Sequence, residues 1–341
     1  MSINEQLEST IAKLISPGKG ILAADESLPT IGKRFQPLDI ANTDENRRAY
    51  RSLLFTAPGA EAFISGVILF EETLGQLADD GTPLPKILER RGIVPGIKVD
   101  KGTVPLANAP GDLITRGLDG LPDRLKGYRV QGARFAKWRE VYGITDHNPT
   151  PLGIDANAEA LAAYAAICQS EGIVPIVEPE VLIDGDHTMQ RCSEVIEAVL
   201  HAVFHALHRQ KVRLEHMVLK PSMVLPGKDC PPKATPEQVA AATVKVLRRT
   251  VPAAVPGIYF LSGGQGPEEA TANLNAMNVQ FPNLPWQLSF SYGRALQDPV
   301  IRAWAGLTRN GLAAQEAFCR RAKMNVLARN GQWTSAMESS S

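Results

Sequence analysis

Short apolar segments that end in polar or charged residues recur along the chain, with starts roughly 30–45 residues apart. The eight segments, in order, are GILAADES (20–27), FISGVILFEE (63–72), VPGIKVDKG (94–102), ARFAKWRE (133–140), IVPIVEPE (173–180), MVLKPS (217–222), IYFLSGG (258–264) and WQLSFSYGR (286–294). Each has the length of a buried strand, and the gaps leave room for a loop and a helix. The pattern predicts eight strands that alternate with helices.

The segments between these strands carry helix signals. In TPEQVAAATVKVLRRT, Thr235 stands in the N-cap position, Pro236 at the first helical position and Gln238 three residues after the cap. DANAEALAAYAAICQSEG has an apolar stripe at helical spacing and Gly172 as a stop. The N-terminal stretch MSINEQLESTIAKLIS has the same spacing, beginning at Leu7. We therefore expect amphipathic helices that cover the strands.

Eight buried strands alternating with helices predict a (β/α)8 barrel, the TIM barrel. Because no linker-like run interrupts the chain, we expect a single catalytic domain over residues 1–330 and a short flexible tail at 331–341. The alternative is an open, doubly wound sheet, but the first βα turn has no GxGxxG sequence and eight evenly spaced strands close naturally. In a barrel, functional side chains lie at the C-terminal ends of the strands.

Composition and charge narrow the classes of function. Of 341 residues, 44% are hydrophobic, which is enough for a substantial core. Basic and acidic residues balance at 36 each, so bulk charge does not favour a nucleic-acid or membrane-surface partner. The four cysteines form no CxxC pair, and the N-terminus resembles neither a signal peptide nor a transit peptide. These features predict a soluble cytoplasmic protein.

Lys220 ends an apolar strand and is followed directly by Pro221. Loss of hydration, together with the positive charges of Lys98 and Lys137, would lower the pKa of its ammonium group and favour the neutral amine. A neutral amine attacks a ketone to give an iminium ion. The alternative is a structural lysine that reaches water or belongs to a buried ion pair. The strand alone favours the structural interpretation, whereas the other strand ends favour the catalytic one.

Three further strand ends carry acids and cations. Glu178 and Glu180 are two residues apart, so both leave the same face of their strand, where one can shuttle protons while the other stays ionised. Lys137 and Arg139 have the same spacing, which suits binding of phosphate or carboxylate. Asp25 suits a base on a substrate hydroxyl. Counter-ion roles for these groups, and an N-cap role for Asp25, remain open.

The last two strands end in glycine-rich turns. One turn contains Ser262, Gly263 and Gly264, and the other contains Gly293 followed by Arg294. Backbone N–H groups in such turns converge on anions, and arginine adds a bidentate charged fork. Each turn alone is also explained as an ordinary left-handed turn. Together, at the frequent phosphate site of barrels, they predict a phosphorylated ligand.

Histidines at 201, 205 and 208 share one helical stripe, but the chain has no HExxH sequence and the stripe falls near a helix C-terminus. We therefore predict no metal site and no cofactor.

Ten short motifs occur in order along the chain: GKGILAADES, GVILFEETL, GIKVDKG, GLDGL, FAKWR, GIVPIVEPE, LKPSMVLPG, FLSGGQ, LNAMN and SFSYGRALQ. In sequence and order, over roughly positions 15–330, they resemble the class I fructose-1,6-bisphosphate aldolases. The resemblance implies a metal-independent lyase of glycolysis and gluconeogenesis. It would reversibly cleave fructose 1,6-bisphosphate to dihydroxyacetone phosphate and glyceraldehyde 3-phosphate, and would be a homotetramer.

The same resemblance implies catalytic roles. Lys220 would form the Schiff base, and Glu178 would be the acid and base for carbinolamine dehydration. Asp25 would take the C4-hydroxyl proton beside Lys137, its electrostatic partner. Glu180 would position and neutralise the lysines.

It also implies two phosphate sites. The C1 phosphate would be held by Ser262, Gly263, Gly264 and Arg294. The C6 end would be held by Ser27, Arg34, Lys98 and Arg139.

The chain departs from the family pattern in two places. The segment GQWTSAMESSS has no terminal tyrosine of the kind that assists proton exchange in animal members, so we expect Glu178 or solvent to perform that step. Leu28-Pro29-Thr30 replaces a commoner Thr-Gly-Ser type of loop, and the proline would stiffen the C6-phosphate loop.

Two alternatives to this function remain. One is a related Schiff-base barrel acting on another sugar phosphate, such as sedoheptulose bisphosphate. The other is a catalytically silent barrel that binds sugar phosphates. The presence of Lys220, Glu178 and Asp25 argues against the silent barrel, because a pure binder does not need all three.

Overall fold

The computed structural model describes residues 2–231 and 233–339. Eight parallel strands close into a barrel in which each strand pairs with its neighbours in the chain. They are β1 (Gly20–Ala24), β2 (Ile64–Leu69), β3 (Val94–Lys98), β4 (Phe135–Tyr142), β5 (Val174–Val181), β6 (Val218–Leu219), β7 (Gly257–Phe260) and β8 (Gln287–Tyr292). The predicted (β/α)8 barrel is confirmed. A doubly wound open sheet is excluded, because β1 pairs with β8 as well as with β2.

Helices surround the barrel and cover one of its ends. They are α1 (Ile3–Leu14), α2 (Leu28–Phe35), α3 (Asp44–Thr56), α4 (Glu71–Leu74), α5 (Leu84–Arg90), α6 (Leu121–Val130), α7 (Pro151–Ser170), α8 (Met189–Arg209), α9 (Pro236–Thr250), α10 (Pro267–Gln280), α11 (Arg294–Trp304), α12 (Gly311–Arg329) and α13 (Ala336–Ser339). A small antiparallel hairpin pairs Thr103–Pro105 with Leu113–Thr115. Four short 3-10 turns lie at Gln36–Leu38, Ala60–Ala62, Leu214–His216 and Thr308–Asn310. Within the described ranges, no helix is long and apolar enough to cross a membrane.

The capping residues act as the sequence predicts. The Thr235 hydroxyl accepts a hydrogen bond from the Gln238 amide, and the Gln238 side chain accepts one from the Thr235 amide, which completes a capping box on α9. The predicted alanine-rich helix begins earlier than expected, at Pro151, because Thr150 provides an N-cap there. Gly172 follows its end with a φ of +72°, a backbone conformation that glycine adopts without strain.

The apolar face of α1 closes the N-terminal end of the barrel. Leu7, Ile11 and Leu14 are buried in one cluster with inward-facing strand residues, namely Ile21, Ala23, Ile68, Val94, Phe135, Val174, Ile176, Val218 and Tyr259. The hydroxyls of Ser65 and Tyr259 both donate hydrogen bonds to the carbonyl of Leu14, at 2.7 and 3.0 Å. The lower half of the barrel is therefore filled with side chains, so a site has to form at the C-terminal end.

Beyond α12 the chain lies against the outer helices. Glu338 in α13 forms an ion pair with Arg321 at 2.7 Å, and the indole N–H of Trp333 donates to Glu338 at 2.9 Å. The flexibility of the tail at 331–341 and the domain boundary at 330 remain predictions, and residues 340 and 341 lie outside the described ranges.

Candidate active site

A cavity of about 1000 Å³ opens at the C-terminal ends of the barrel strands. We call it the rim cavity. The thirteen site residues predicted from the sequence all line it: Asp25, Ser27, Arg34, Lys98, Lys137, Arg139, Glu178, Glu180, Lys220, Ser262, Gly263, Gly264 and Arg294. The fold thus brings together residues that are separated by up to 269 positions in the chain, the distance from Asp25 to Arg294.

Strand periodicity explains why four of these side chains point into the barrel. Side chains two residues apart leave the same face of a strand. Each of the four follows, at that spacing, an apolar residue of the barrel interior: Ala23 precedes Asp25, Phe135 precedes Lys137, Ile176 precedes Glu178 and Val218 precedes Lys220. The apolar layer therefore forms the floor on which the charged groups stand.

These four groups form a chain of alternating charge. The Nζ atom of Lys137 lies 2.7 Å from Oδ2 of Asp25 and 3.0 Å from Oε2 of Glu178. The other oxygen of Glu178, Oε1, lies 2.9 Å from Nζ of Lys220. Lys220 is only 3% exposed, and Lys137 and Glu178 are equally buried. One carboxylate thus contacts both lysines, which is why two ammonium groups can be buried side by side.

The chain of charges fixes the ionisation of Asp25 and Lys137. Burial alone would raise the pKa of Asp25, but the positive charges of Lys137 and Lys220 outweigh it and hold that pKa well below its usual range. Burial would likewise lower the pKa of Lys137, yet the carboxylates of Asp25 and Glu178 raise it above its ordinary value. Asp25 is therefore an anion and Lys137 a cation throughout the physiological range.

Glu180 has a different partner from Glu178. Its Oε2 lies 3.0 Å from the guanidinium of Arg139, whose side chain is 48% exposed. Burial raises the pKa of Glu180, while Arg139 counteracts that rise. The family resemblance implied that Glu180 neutralises the lysines; the carboxylate within ion-pair distance of both is Glu178, while Glu180 interacts with their charges from further away.

The two glycine-rich turns adjoin each other across the rim. Gly263 and Gly264 have φ values of +51° and +93°. A side chain at Gly264 would lie 2.8 Å from Ile183 and 3.5 Å from a guanidinium nitrogen of Arg294, the first residue of α11. The sequence needs glycine here both for the left-handed backbone and for the close approach of its neighbours. Ser262 is buried at the start of the same turn.

The chain segments at the C-terminal ends of β1 and β3 hold cations that are each paired with an acid, and the Arg34 guanidinium also adjoins the turn at Gly293. Lys98 lies 2.5 Å from a carboxylate oxygen of Asp100, and Arg34 forms an ion pair with buried Glu26. The hydroxyl of Ser27, the N-cap residue of α2, lies 2.9 Å from that of Thr30. A ligand bound here therefore meets cations whose positions are already fixed.

Asp100 and Glu26 are two charged residues of the rim cavity that the sequence reasoning missed, whereas Ser291 was noted at its strand end but given no role. Asp100 follows Lys98 at the same i, i+2 spacing that identified Glu178 and Glu180, so the signal was present. Glu26 lay within a segment interpreted as a helix cap. Ser291 is buried, lines the cavity, and has a hydroxyl without a hydrogen-bond partner among the described residues.

Within residues 2–231 and 233–339, no group of three or more His, Cys, Asp or Glu side chains is placed to bind a metal ion. The histidines at 201, 205 and 208 are exposed on α8. The fold and the residues that line the rim cavity define a (β/α)8-barrel enzyme with a buried lysine at the centre of its site.

Comparisons with known proteins identify the family. Residues 6–341 match the family model described as fructose-bisphosphate aldolase class-I. A probable fructose-bisphosphate aldolase class 1 of Xanthomonas campestris is 54% identical over 334 residues, covering 98% of this chain and 99% of the relative. The cytosolic fructose-bisphosphate aldolase 6 of Arabidopsis thaliana is 55% identical over 329 residues, covering 96% of this chain and 92% of the relative.

A solved structure agrees with these relatives. The fructose-bisphosphate aldolase of Plasmodium falciparum, in a complex with TRAP and a small-molecule inhibitor, superposes with a TM-score of 0.96 at 50% identity and covers 98% of this chain and 96% of its own. The chain therefore belongs to the class I fructose-bisphosphate aldolase family. The resemblance found in the motifs is confirmed.

The reaction follows from the family. The enzyme is a metal-independent lyase of glycolysis and gluconeogenesis. It reversibly cleaves D-fructose 1,6-bisphosphate to dihydroxyacetone phosphate and D-glyceraldehyde 3-phosphate through a lysine Schiff base.

Proposed function

We propose that Lys220 is the lysine that forms the Schiff base. The observation that carries this assignment is the 2.9 Å contact between its Nζ and Glu178, both buried beneath the open rim cavity. Proton transfer across that contact would leave a neutral amine, whose lone pair attacks C2 of the ketose. Glu178 would then protonate the departing hydroxyl of the carbinolamine, so that water leaves and the iminium ion forms.

Asp25 is proposed to remove the proton of the C4 hydroxyl. As the O–H bond breaks, its electrons form the aldehyde C=O, and the electrons of the C3–C4 bond move onto the iminium to give an enamine. The ion pair with Lys137 keeps Asp25 ionised but makes it a weak base. Proton transfer is therefore expected to be coupled to C3–C4 cleavage, since the hydroxyl becomes acidic only as the iminium withdraws electrons.

The remaining half-reaction returns the enzyme to its starting state. Asp25 would lose its proton to solvent, and a water molecule, or Glu178 after it regains a proton from solvent, would protonate C3 of the enamine. Water would then hydrolyse the resulting iminium to release dihydroxyacetone phosphate. Glu180 is proposed to hold Arg139 toward the substrate, as their 3.0 Å ion pair suggests.

The two phosphates are proposed to occupy two different parts of the rim. The C1 phosphate would lie on the glycine-rich turns, with Ser262, Gly263, Gly264 and Arg294. The C6 end would lie near Ser27, Arg34, Lys98 and Arg139. This assignment is supported by the contact between the two turns and by the ion pairs that hold Arg34 and Lys98 in place.

Borohydride trapping tests the central assignment. The enzyme is incubated with dihydroxyacetone phosphate, reduced, digested and analysed by mass spectrometry. We expect the adduct on Lys220 and its loss in Lys220→Arg, which keeps the positive charge, with kcat lower by at least about 10³-fold. An adduct on Lys137, or none at all, would overturn the assignment.

We also propose that the enzyme works as a cytoplasmic homotetramer, with residues 1–330 as a single catalytic domain. A related plant enzyme is cytosolic, which supports the compartment. Sedimentation of the purified chain tests the tetramer. Relative rates on fructose bisphosphate and sedoheptulose bisphosphate distinguish the proposed substrate from the alternative sugar phosphate.

A further inference from the structure

A second cavity, of about 630 Å³, lies at the end of the barrel opposite the rim cavity. It is bounded by α1, by residues 89–95 at the start of β3 and by residues 129–134 just before β4. We call it the lower cavity. The apolar cluster of α1 and the barrel interior separates it from the catalytic lysines. Its volume is within the range of small-molecule sites.

Positive charge dominates its polar walls. Lys13, Arg129 and Arg134 line the lower cavity, and the one acidic residue among its lining residues is Glu89. That carboxylate already lies 2.5 Å from the ammonium of Lys86. The contact with Lys86 is the main reason why the pKa of Glu89 is lowered, and the positive charges of Arg134 and Lys13 add to the effect. The three cations therefore face the same space without an acid of their own.

The two arginines are held in place by backbone carbonyls. Arg134 donates from one guanidinium nitrogen to the carbonyls of Arg129 and Ala133, at 3.0 and 2.9 Å. Arg129 donates to the carbonyl of Glu171 at 3.0 Å. Throughout residues 2–231 and 233–339, neither guanidinium nor the ammonium of Lys13 has a carboxylate within ion-pair distance. The charges are positioned but not neutralised.

The rest of the lining is mixed, with polar Gln6, Ser9 and Thr10 on the α1 side and apolar residues on the β3 side. Ile93, Val94 and Pro95 line the cavity, and the Arg134 amide donates to the Pro95 carbonyl at 2.9 Å, which ties the two bounding segments together. A guanidinium fork matches a planar carboxylate, and an apolar wall accepts a hydrocarbon body. We propose that the lower cavity binds a small organic carboxylate with an apolar body, at a site separate from the aldol reaction.

Calorimetric titration of the full-length enzyme with 4-phenylbutyrate tests the proposal, with 4-phenylbutanamide as the uncharged ligand of matched shape. We expect saturable binding of the acid and none of the amide. Ser9→Glu places a carboxylate in the cavity from an exposed position of α1 and should weaken binding at least about tenfold, about 1.4 kcal/mol. Ser9→Gln, of equal size, should leave the affinity within about twofold.

Two further measurements locate the bound acid. Lys13→Gln, at an exposed residue, should weaken binding, whereas Arg294→Gln in the rim cavity should not. In steady-state assays, 4-phenylbutyrate should leave KM for fructose 1,6-bisphosphate unchanged. Absence of binding, equal binding of the amide, equal affinities for Ser9→Glu and Ser9→Gln, or competition with the substrate would each overturn the proposal. These outcomes do not depend on which lysine forms the Schiff base.

Discussion

Glu178 balances the charges of the rim because each of its oxygens faces a different lysine. Oε1 lies 2.9 Å from Lys220 and Oε2 lies 3.0 Å from Lys137. Glu180, two residues further on, faces the half-exposed Arg139 instead. Two acids with the same strand spacing therefore have different roles, and the difference arises from which cation each one reaches.

Replacing Glu178 with Gln should therefore be far more damaging than the same change at Glu180. It removes the carboxylate between two buried ammonium groups, so we expect kcat to fall by about 10²- to 10⁴-fold and the free energy of unfolding to fall by about 3 kcal/mol. Glu180→Gln should cost less than about 1 kcal/mol, because Arg139 remains hydrated. Steady-state kinetics and urea denaturation measure both, and equal losses would contradict the distinction.

The two proposed phosphate sites predict that replacing Arg294 and replacing Arg139 change kcat/KM for different sets of substrates. Arg294→Ala should lower kcat/KM by about 10- to 100-fold with both fructose 1,6-bisphosphate and fructose 1-phosphate, since both carry the C1 phosphate. Arg139→Ala should lower it by a similar factor with the bisphosphate alone. Fructose 1-phosphate is thus an internal control for structural damage, and the reverse pattern would exchange the two phosphate sites.

Strand β4 presents different chemistry on its two faces. Lys137 and Arg139 point toward the rim cavity, whereas Trp138 and Glu140 point away from it. Glu140 is fully buried and accepts hydrogen bonds from the Trp138 indole at 2.7 Å and from the Thr115 amide at 3.2 Å. Burial raises its pKa to about 7 despite these two donors. Glu140 thus links the strand that carries Lys137 to the antiparallel hairpin.

The raised pKa of Glu140 predicts that the free energy of unfolding depends on pH. Between pH 4.5, the ordinary pKa of the side chain, and about pH 7, the unfolded chain ionises Glu140 while the folded protein keeps it protonated. The free energy of unfolding should therefore fall as pH rises through this window, relative to Glu140→Gln, by up to about 3 kcal/mol. Denaturation curves at several pH values measure the difference, and a difference that stays constant from pH 4.5 to 8 would refute it.

On the scale of the whole molecule, the rim cavity and the C-terminal helix α13 lie in different parts of the structure. The rim cavity is lined by residues between Ala23 and Arg302, and α13 lies elsewhere, against α12. Its Glu338 makes two contacts with the Arg321 guanidinium, at 2.8 and 2.7 Å, and both side chains are largely buried. The C-terminal segment therefore supports the helical layer.

Removal of residues 332–341 should accordingly affect stability more than rate. Loss of the Arg321–Glu338 ion pair should lower the free energy of unfolding by about 2 kcal/mol, with kcat for fructose 1,6-bisphosphate within about twofold of the intact enzyme. Glu338→Gln, which keeps the tail, should reproduce most of the loss. A large fall in kcat with unchanged stability would instead show that the tail acts at the rim cavity.

The sequence by itself predicted the architecture and most of the charged residues that line the rim cavity. Eight apolar segments at regular spacing predicted a closed parallel barrel, and the polar residues at their ends predicted site groups such as Asp25 and Lys220. These features are local, because burial of a strand and the direction of its side chains depend on residues one or two positions apart.

Only the tertiary structure decided which charged side chains contact each other. It placed Glu178 between Lys137 and Lys220, paired Glu180 with Arg139, and added Glu26 and Asp100 to the rim cavity. It also brought α1 to two segments more than 75 residues away to form the lower cavity. Distances between side chains on different strands depend on barrel closure and register, which no local pattern in the chain encodes.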